Sequence, residues 1–136
     1  MSVVLDTGFV LALYDDSDRN HGRAVEWSSA VDEDLITTPL AVAEMDHLVE
    51  QRGGEAAQRV LWDDFDAGAY GVRWWGDALS ETIAIARRHP WIGLADSSLV
   101  ALAGLLRTNR IVTFDGHFRS LTTPRGEPFV LLPDDA

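Results

Sequence analysis

The chain has 136 residues, 46% of them hydrophobic, which matches the roughly 150 residues of one domain with a buried core and excludes a disordered chain. Twenty-two Asp and Glu stand against eleven Arg, with no lysine and no cysteine, for a net charge of −11. These counts exclude disulfides, thiolate nucleophiles, thiolate metal sites, P-loop and Schiff-base lysines and sequence-independent coating of nucleic acid, so any phosphate substrate needs a bound cation or a local arginine cluster.

In chain order, Ser2 to Asp6 (SVVLD) is a β-branched apolar run and is predicted to be a buried parallel strand. Thr7 to Asp15 is predicted to be a helix, followed by an acidic turn and a second helix over His21 to Val31. The longest unbroken apolar run, Phe9 to Tyr14, is far too short to span a bilayer, and no leader pattern precedes it. The expectation is a protein that makes no membrane contact and works in the cytoplasm. Asp34 to Thr38 is the second predicted strand. Thr38 and Pro39 then start a helix as N-cap and first helical residue, and the Gly53-Gly54 pair ends it after Arg52. A fourth helix covers Glu55 to Gly68, a short strand Ala69 to Arg73, and a fifth helix Trp75 to His89, closed by Pro90. Leu94 to Leu106 is the sixth helix, Arg110 to Asp115 a strand, and Pro128 to Pro133 the last strand. With no repeat or long linker, strands alternating with helices predict one α/β domain over residues 1–136. Its expected form is a three-layer-like sandwich with helices flanking a central, mostly parallel sheet.

Four carboxylates occupy positions that need an explanation. Asp6 and Asp115 end two predicted strands, and in open α/β sheets sites form at the carboxyl ends of strands. The ordinary alternative for each is a turn or cap aspartate. Glu44 has Leu40 and Leu48 at i±4 and Ala41 at i−3, a stripe expected to face the core. A carboxylate there must be protonated, ion-paired or metal-bound. Asp46, flanked by Val42, Ala43 and Val49, competes for the same role, and periodicity leaves both open. Asp96 lies in the first turn of an otherwise apolar helix, where the macrodipole tolerates negative charge. Carboxylates crowded on one rim repel unless a cation binds. All-oxygen sites suit Mg²⁺ or Mn²⁺, which polarise phosphoryl oxygens and activate water.

Four segments, VVLDTGFVLALYDDSDRNH, TTPLAVAEMDHLV, IGLADSSLVALAGLL and RIVTFDGHF, together resemble PIN-domain proteins over almost the whole length, and within them the VapC toxins of type II toxin–antitoxin pairs. The resemblance implies that Asp6, Glu44, Asp96 and Asp115 form the acidic metal site, and it selects Glu44 over Asp46. It also implies supporting roles for Thr7, which follows the first aspartate, and for Thr113 of the T-x-D pair. The third position of the opening motif, often serine in the family, is Gly8 here and brings no hydroxyl. The implied activity is Mg²⁺- or Mn²⁺-dependent endoribonuclease cleavage of structured RNA, tRNA or rRNA. The implied partners are a cognate VapB-like antitoxin and a second copy of the chain, in a homodimer that forms a heterotetramer or larger assembly with the antitoxin.

Arg119, Arg125 and His117, close to Asp115 in sequence, are candidate RNA contacts. Arg87 and Arg88 close a helix, where cations suit the dipole, and RNA contact is their secondary reading. Trp74, Trp75 and Trp91 are core residues or candidates for a partner interface. Phosphatases with an aspartyl nucleophile need a second aspartate where Gly8 stands, and both they and receiver domains need a lysine. The remaining alternative is a PIN-like scaffold that binds protein without cutting RNA.

Overall fold

The β-branched run at the N-terminus becomes the central strand. In the computed structural model, which describes residues 1–136, β1 (Ser2–Leu5) pairs in parallel with β2 (Asp34–Thr37) on one side and β4 (Arg110–Val112) on the other. β3 (Gly71–Val72) and β5 (Val130–Leu132) complete a five-stranded sheet of order β3-β2-β1-β4-β5 in which every pairing is parallel. Val3, Val4 and Leu5 are fully buried, as a strand covered on both faces requires. The chain lays down β1, β2 and β3 in one direction and then crosses back to place β4 and β5 beyond β1. The crevice that this reversal opens lies at the carboxyl ends of β1 and β4.

The helices follow from equally local causes. α1 (Thr7–Tyr14) starts directly after β1, and α2 (His21–Ala30) packs on it. α3 (Pro39–Asp66) begins as the sequence predicts, with the Thr38 hydroxyl accepting a hydrogen bond from Ala41 N–H at 3.3 Å and Pro39 in the first turn. The two helices expected on either side of Gly53-Gly54 form one 28-residue helical stretch, broken in backbone geometry at Gly54 (φ 74°, ψ −174°). Helical hydrogen bonding resumes at once beyond that left-handed glycine, so the segments run on without a loop. α4 (Ala78–Arg88) leads through a 3-10 turn (Pro90–Ile92) into α5 (Gly93–Leu106).

α5 is the buried helix of the molecule. Ser97 to Ala103 are all buried, and the helix packs against β1, α3 and α4, so it is apolar all round instead of amphipathic. Its two serines satisfy their hydroxyls locally: Ser97 Oγ donates to Gly93 C=O and Ser98 Oγ to Ala95 C=O, both at 2.6 Å. Gly104 is required by a close approach, because a Cβ there would lie 2.7 Å from Pro124 Cγ.

Every strand is shorter than expected, β1 and β2 by one residue and β3, β4 and β5 by three. The strand predicted to run to Asp115 ends at Val112, because beyond it Asp115 leaves the ladder to cap a 3-10 turn (Gly116–Ser120). The last strand covers only Val130–Leu132 of the predicted Pro128 to Pro133. No helix is long and apolar enough to cross a membrane. Leu99 is fully buried in α5, three residues after Asp96. Leu99→Ala is expected to lower unfolding free energy by about 2–5 kcal/mol, read from urea denaturation.

Candidate metal and nuclease site

The pairing of β1 with β4 sets Leu5 beside Val112, and the ladder continues one step further through Asp6 N–H to Val112 C=O (3.2 Å). Asp6 and Thr113 therefore emerge side by side at the switch point. The Thr113 hydroxyl donates to Asp6 Oδ2 at 2.7 Å and accepts from the backbone N–H of Asp115 at 2.9 Å. One threonine thus fixes both the carboxylate of β1 and the turn that presents Asp115. Asp115 Oδ1 accepts from His117 N–H at 3.1 Å, which starts the 3-10 turn and holds the His117 ring close by.

That ring lies between two carboxylates. His117 Nδ1 is 2.6 Å from Asp115 Oδ1, and Nε2 is 2.9 Å from Asp96 Oδ2. The Nε2 contact lacks hydrogen-bond alignment, so its attraction is electrostatic and present only when the ring is protonated. Ligand atoms of Asp96, Asp115 and His117 all lie within 4.8 Å of one another, a spacing suited to holding a metal ion.

Asp6 is 4% exposed, and its pKa is pushed up to about 7, first by burial and then by the charge of Asp96; the Thr113 hydrogen bond acts in the opposite direction. The Asp96 pKa is also raised to about 7, by burial and then by the charges of Glu44 and Asp115. The four carboxylates thus lie within electrostatic reach as a set, without an arginine among them. Burial without a compensating cation keeps Asp6 and Asp96 from ionising in their usual range. The donors fit a hard divalent ion: they are carboxylates at one rim, and the Thr7 hydroxyl beside Asp6 is buried with no hydrogen-bond partner.

Glu44 corrects one expectation. It is exposed, because the buried stripe of α3 runs through Ala41, Met45 and Val49 and leaves residue 44 on its flank. From there its charge acts on Asp96. Asp46 is engaged elsewhere: its Oδ1 accepts from Gln58 Nε2 at 2.9 Å and Trp62 Nε1 at 2.6 Å, tying the two halves of α3 together across the Gly54 break.

The remaining sequence candidates are dispersed. Arg119 makes a two-pronged ion pair with Asp135 near the C-terminus, at 2.8 and 3.1 Å. Arg125 is exposed on the turn between Thr123 and Gly126. Trp74 and Trp91 are exposed and Trp75 is half-buried; Trp91 meets the His117 ring edge to face at 5.6 Å. Arg88 and His89 line a separate cavity of about 320 Å³ that includes none of the four carboxylates. A different cleft, of about 440 Å³, does reach Asp115, and two of its walls, Arg19 and Arg52, were missed in the sequence. Arg19 lies in an acidic turn and Arg52 38 residues beyond Tyr14, so only the fold brings them to the rim.

The raised pKa values have a consequence for stability. A buried carboxyl with a folded pKa of about 7 against 3.8 unfolded leaves the fold most stable below 3.8, and stability falls as pH rises toward 7. Without divalent cations, Asp6→Asn is expected to be more stable than the parent chain at pH 8, on the order of 2–4 kcal/mol, and the gap should narrow as pH is lowered to 4. Thermal or urea unfolding across that range in EDTA measures it; a pH-independent difference would contradict the assignment.

Comparison with known proteins agrees with the geometry. A family model described as the PIN domain matches residues 3–123. The chain is 31% identical over 135 residues to Ribonuclease VapC26 of Mycobacterium tuberculosis, an alignment covering 96% of this chain and all of that one. The crystal structure of Mycobacterium tuberculosis VapC20, described there as a Sarcin-Ricin loop cleaving toxin, superposes with a TM-score of 0.80 at 20% identity, covering 87% of this chain and 93% of that one. By the family model and the relative together, the chain belongs to the PIN-domain family, in its VapC type.

Proposed function

We propose that residues 1–136 act as a single nuclease domain, a metal-dependent endoribonuclease that serves as the toxin of a type II toxin–antitoxin pair and cuts structured RNA of the tRNA or rRNA class. The observation that carries this reading is the burial of Asp6 and Asp96 within reach of the charges of Asp115 and Glu44, which leaves two carboxyls with pKa values near 7 and calls for a cation. The ribonuclease name of the 31%-identical relative supports the same chemistry.

In this reading Asp6, Asp96, Asp115 and Glu44 hold Mg²⁺ or Mn²⁺. When bound, such an ion polarises a phosphoryl oxygen and lowers the pKa of water into the neutral range. The chain supplies the rest. Thr113 locks the rotamer of Asp6 through its 2.7 Å hydrogen bond and anchors the turn carrying Asp115 through the 2.9 Å bond from its N–H. His117, 2.6 Å from Asp115 and 2.9 Å from Asp96, stands with them as a third group able to hold the ion. A cognate antitoxin silences the site, and the toxin pairs with a second copy of itself.

The purified chain, freed of any antitoxin, is expected to cleave RNA in Mg²⁺ or Mn²⁺. Activity should disappear on chelation and fall at least 100-fold in Asp96→Asn, a loss of about 2.7 kcal/mol of transition-state stabilisation. Mapping cut sites across total cellular RNA identifies the substrate. Full activity of the variant or of a chelated sample would favour the non-catalytic scaffold.

Cation affinity should also depend on pH. Two ligands must lose protons whose pKa values are about 7, so Mn²⁺ affinity, measured by calorimetry, should rise as pH increases from 6 to 8, with proton release on binding. An affinity flat over this interval would count against Asp6 and Asp96 as ligands.

A further inference from the structure

The four carboxylates account for a cation but not for the rest of a polyanionic substrate. An RNA strand brings further phosphates, and a chain of net charge −11 repels them unless positive charge is placed where the strand must lie. Three arginines are committed to ion pairs of their own. Arg23 pairs with Asp134, Arg110 with Glu33, and Arg119 with Asp135.

The 440 Å³ cleft beside the carboxylates is different. Asp115 and Gly8 line it together with Arg19, Asn20 and Arg52, and its volume lies within the range of ligand sites. Gly8 is the wall residue next to Asp6: a Cβ there would stand 3.7 Å from Asp6 Oδ2, an ordinary contact distance. Arg19 is exposed and makes no ion pair. Arg52 is 49% exposed, has a loose contact at 3.6 Å with Asp18, which lines the same cleft, and its charge also reaches Asp15. Exposed pairs of that kind contribute little to folding, so structure alone does not account for a guanidinium at this position. Asn20 hydrogen-bonds through its backbone, N–H to Asp18 Oδ1 at 2.8 Å and C=O from Ala24 N–H at 2.9 Å, which leaves its side-chain amide donors free at the same wall.

We infer that Arg19 and Arg52 are substrate-binding residues that seat a backbone phosphate next to the scissile one. The planar guanidinium forks match a phosphate in a way a point charge does not, and Asn20 adds a neutral donor. The cleft then divides the work. Its carboxylate end takes the cation, and its arginine end takes a phosphate and sets the register of the strand over the carboxylates. This inference rests on the nuclease reading for the identity of the ligand, and its test separates the two.

The probe is a fluorescein-labelled RNA stem-loop. Its binding to the full chain is measured by anisotropy in Ca²⁺ at several KCl concentrations, and its cleavage is followed in Mn²⁺. Arg19→Ala and Arg52→Ala are each expected to weaken binding about 10-fold and to lower the log–log salt slope by about 1. They should raise KM by a similar factor while kcat stays within about 3-fold, and Arg→Lys should recover part of the loss. Arg107→Asn is the charge-matched control. It lies at the opposite end of α5 from Asp96, in a left-handed conformation (φ 53°) that asparagine accepts, and it should change neither slope nor KM.

Variants indistinguishable from that control would overturn the inference, and if the parent chain still cuts RNA the nuclease reading survives. A parent chain that binds the stem-loop through these arginines but never cuts it would retain the inference and remove the nuclease reading. Absence of RNA binding in the parent chain, or a loss seen only toward a protein partner with RNA affinity intact, would also overturn it.

Discussion

The hydrogen bond between Thr113 and Asp6 joins residues 107 apart in sequence, and the site is organised around it. It forms because β4 is inserted beside β1 and not added to the outer edge after β3, so two strand ends meet where the connections diverge. A different strand order would leave each aspartate as an ordinary turn residue. The same bond brakes the cost of burial: among the influences on Asp6 it opposes desolvation, and it does not outweigh it. Asp6 is held in place at the expense of its ionisation.

α5 solves the complementary problem of bringing Asp96 to that rim. A helix packed against β1, α3 and α4 at once needs an apolar or small residue at every position, and Ser97 to Ala103 supply that. The serines are tolerated because their hydroxyls bond the preceding turn, and Ser98 also meets the Thr38 hydroxyl at 2.7 Å. That contact ties the start of α3 to the first turns of α5, the two helices that carry Glu44 and Asp96. Core packing and site geometry are therefore one construction: a core residue such as Leu99 is part of what keeps Asp96 in position.

Most of the architecture was legible because the signals were local. The β-branched run at residues 2–5, the Thr38-Pro39 start and the Gly54 break each depend on backbone preferences that a few neighbouring residues decide. The end of β4 was not, because Thr-Phe-Asp continues a strand pattern, and only Asp115 capping the next turn stops it. Glu44 was read as core-facing from two leucines at i±4, yet both are only half-buried, and the true stripe passes through Met45. One residue of offset on a helix turns a side chain by about 100°, enough to move it from core to flank. Arg19 and Arg52 left no sequence signal, since nothing local announces that the α1–α2 turn and α3 border the same cleft as Asp115.

The α5 dipole sharpens the case for an external cation. A carboxylate in the first turn of a helix gains about 0.3–1 kcal/mol from the macrodipole, and about 2 at most in partly buried sites. Moving the Asp96 pKa from 3.8 to about 7 is a penalty on the charged form of about 4 kcal/mol. The dipole therefore explains why an acidic residue is allowed at the start of this helix, but it is too weak to keep Asp96 ionised beside Asp6, Glu44 and Asp115. His117 lies 2.9 Å from Asp96 and 2.6 Å from Asp115, but an imidazole carries one positive charge at most and offsets a single carboxylate. In the reading proposed above, a divalent ion neutralises two carboxylates at once, which neither the helix dipole nor a single imidazolium does.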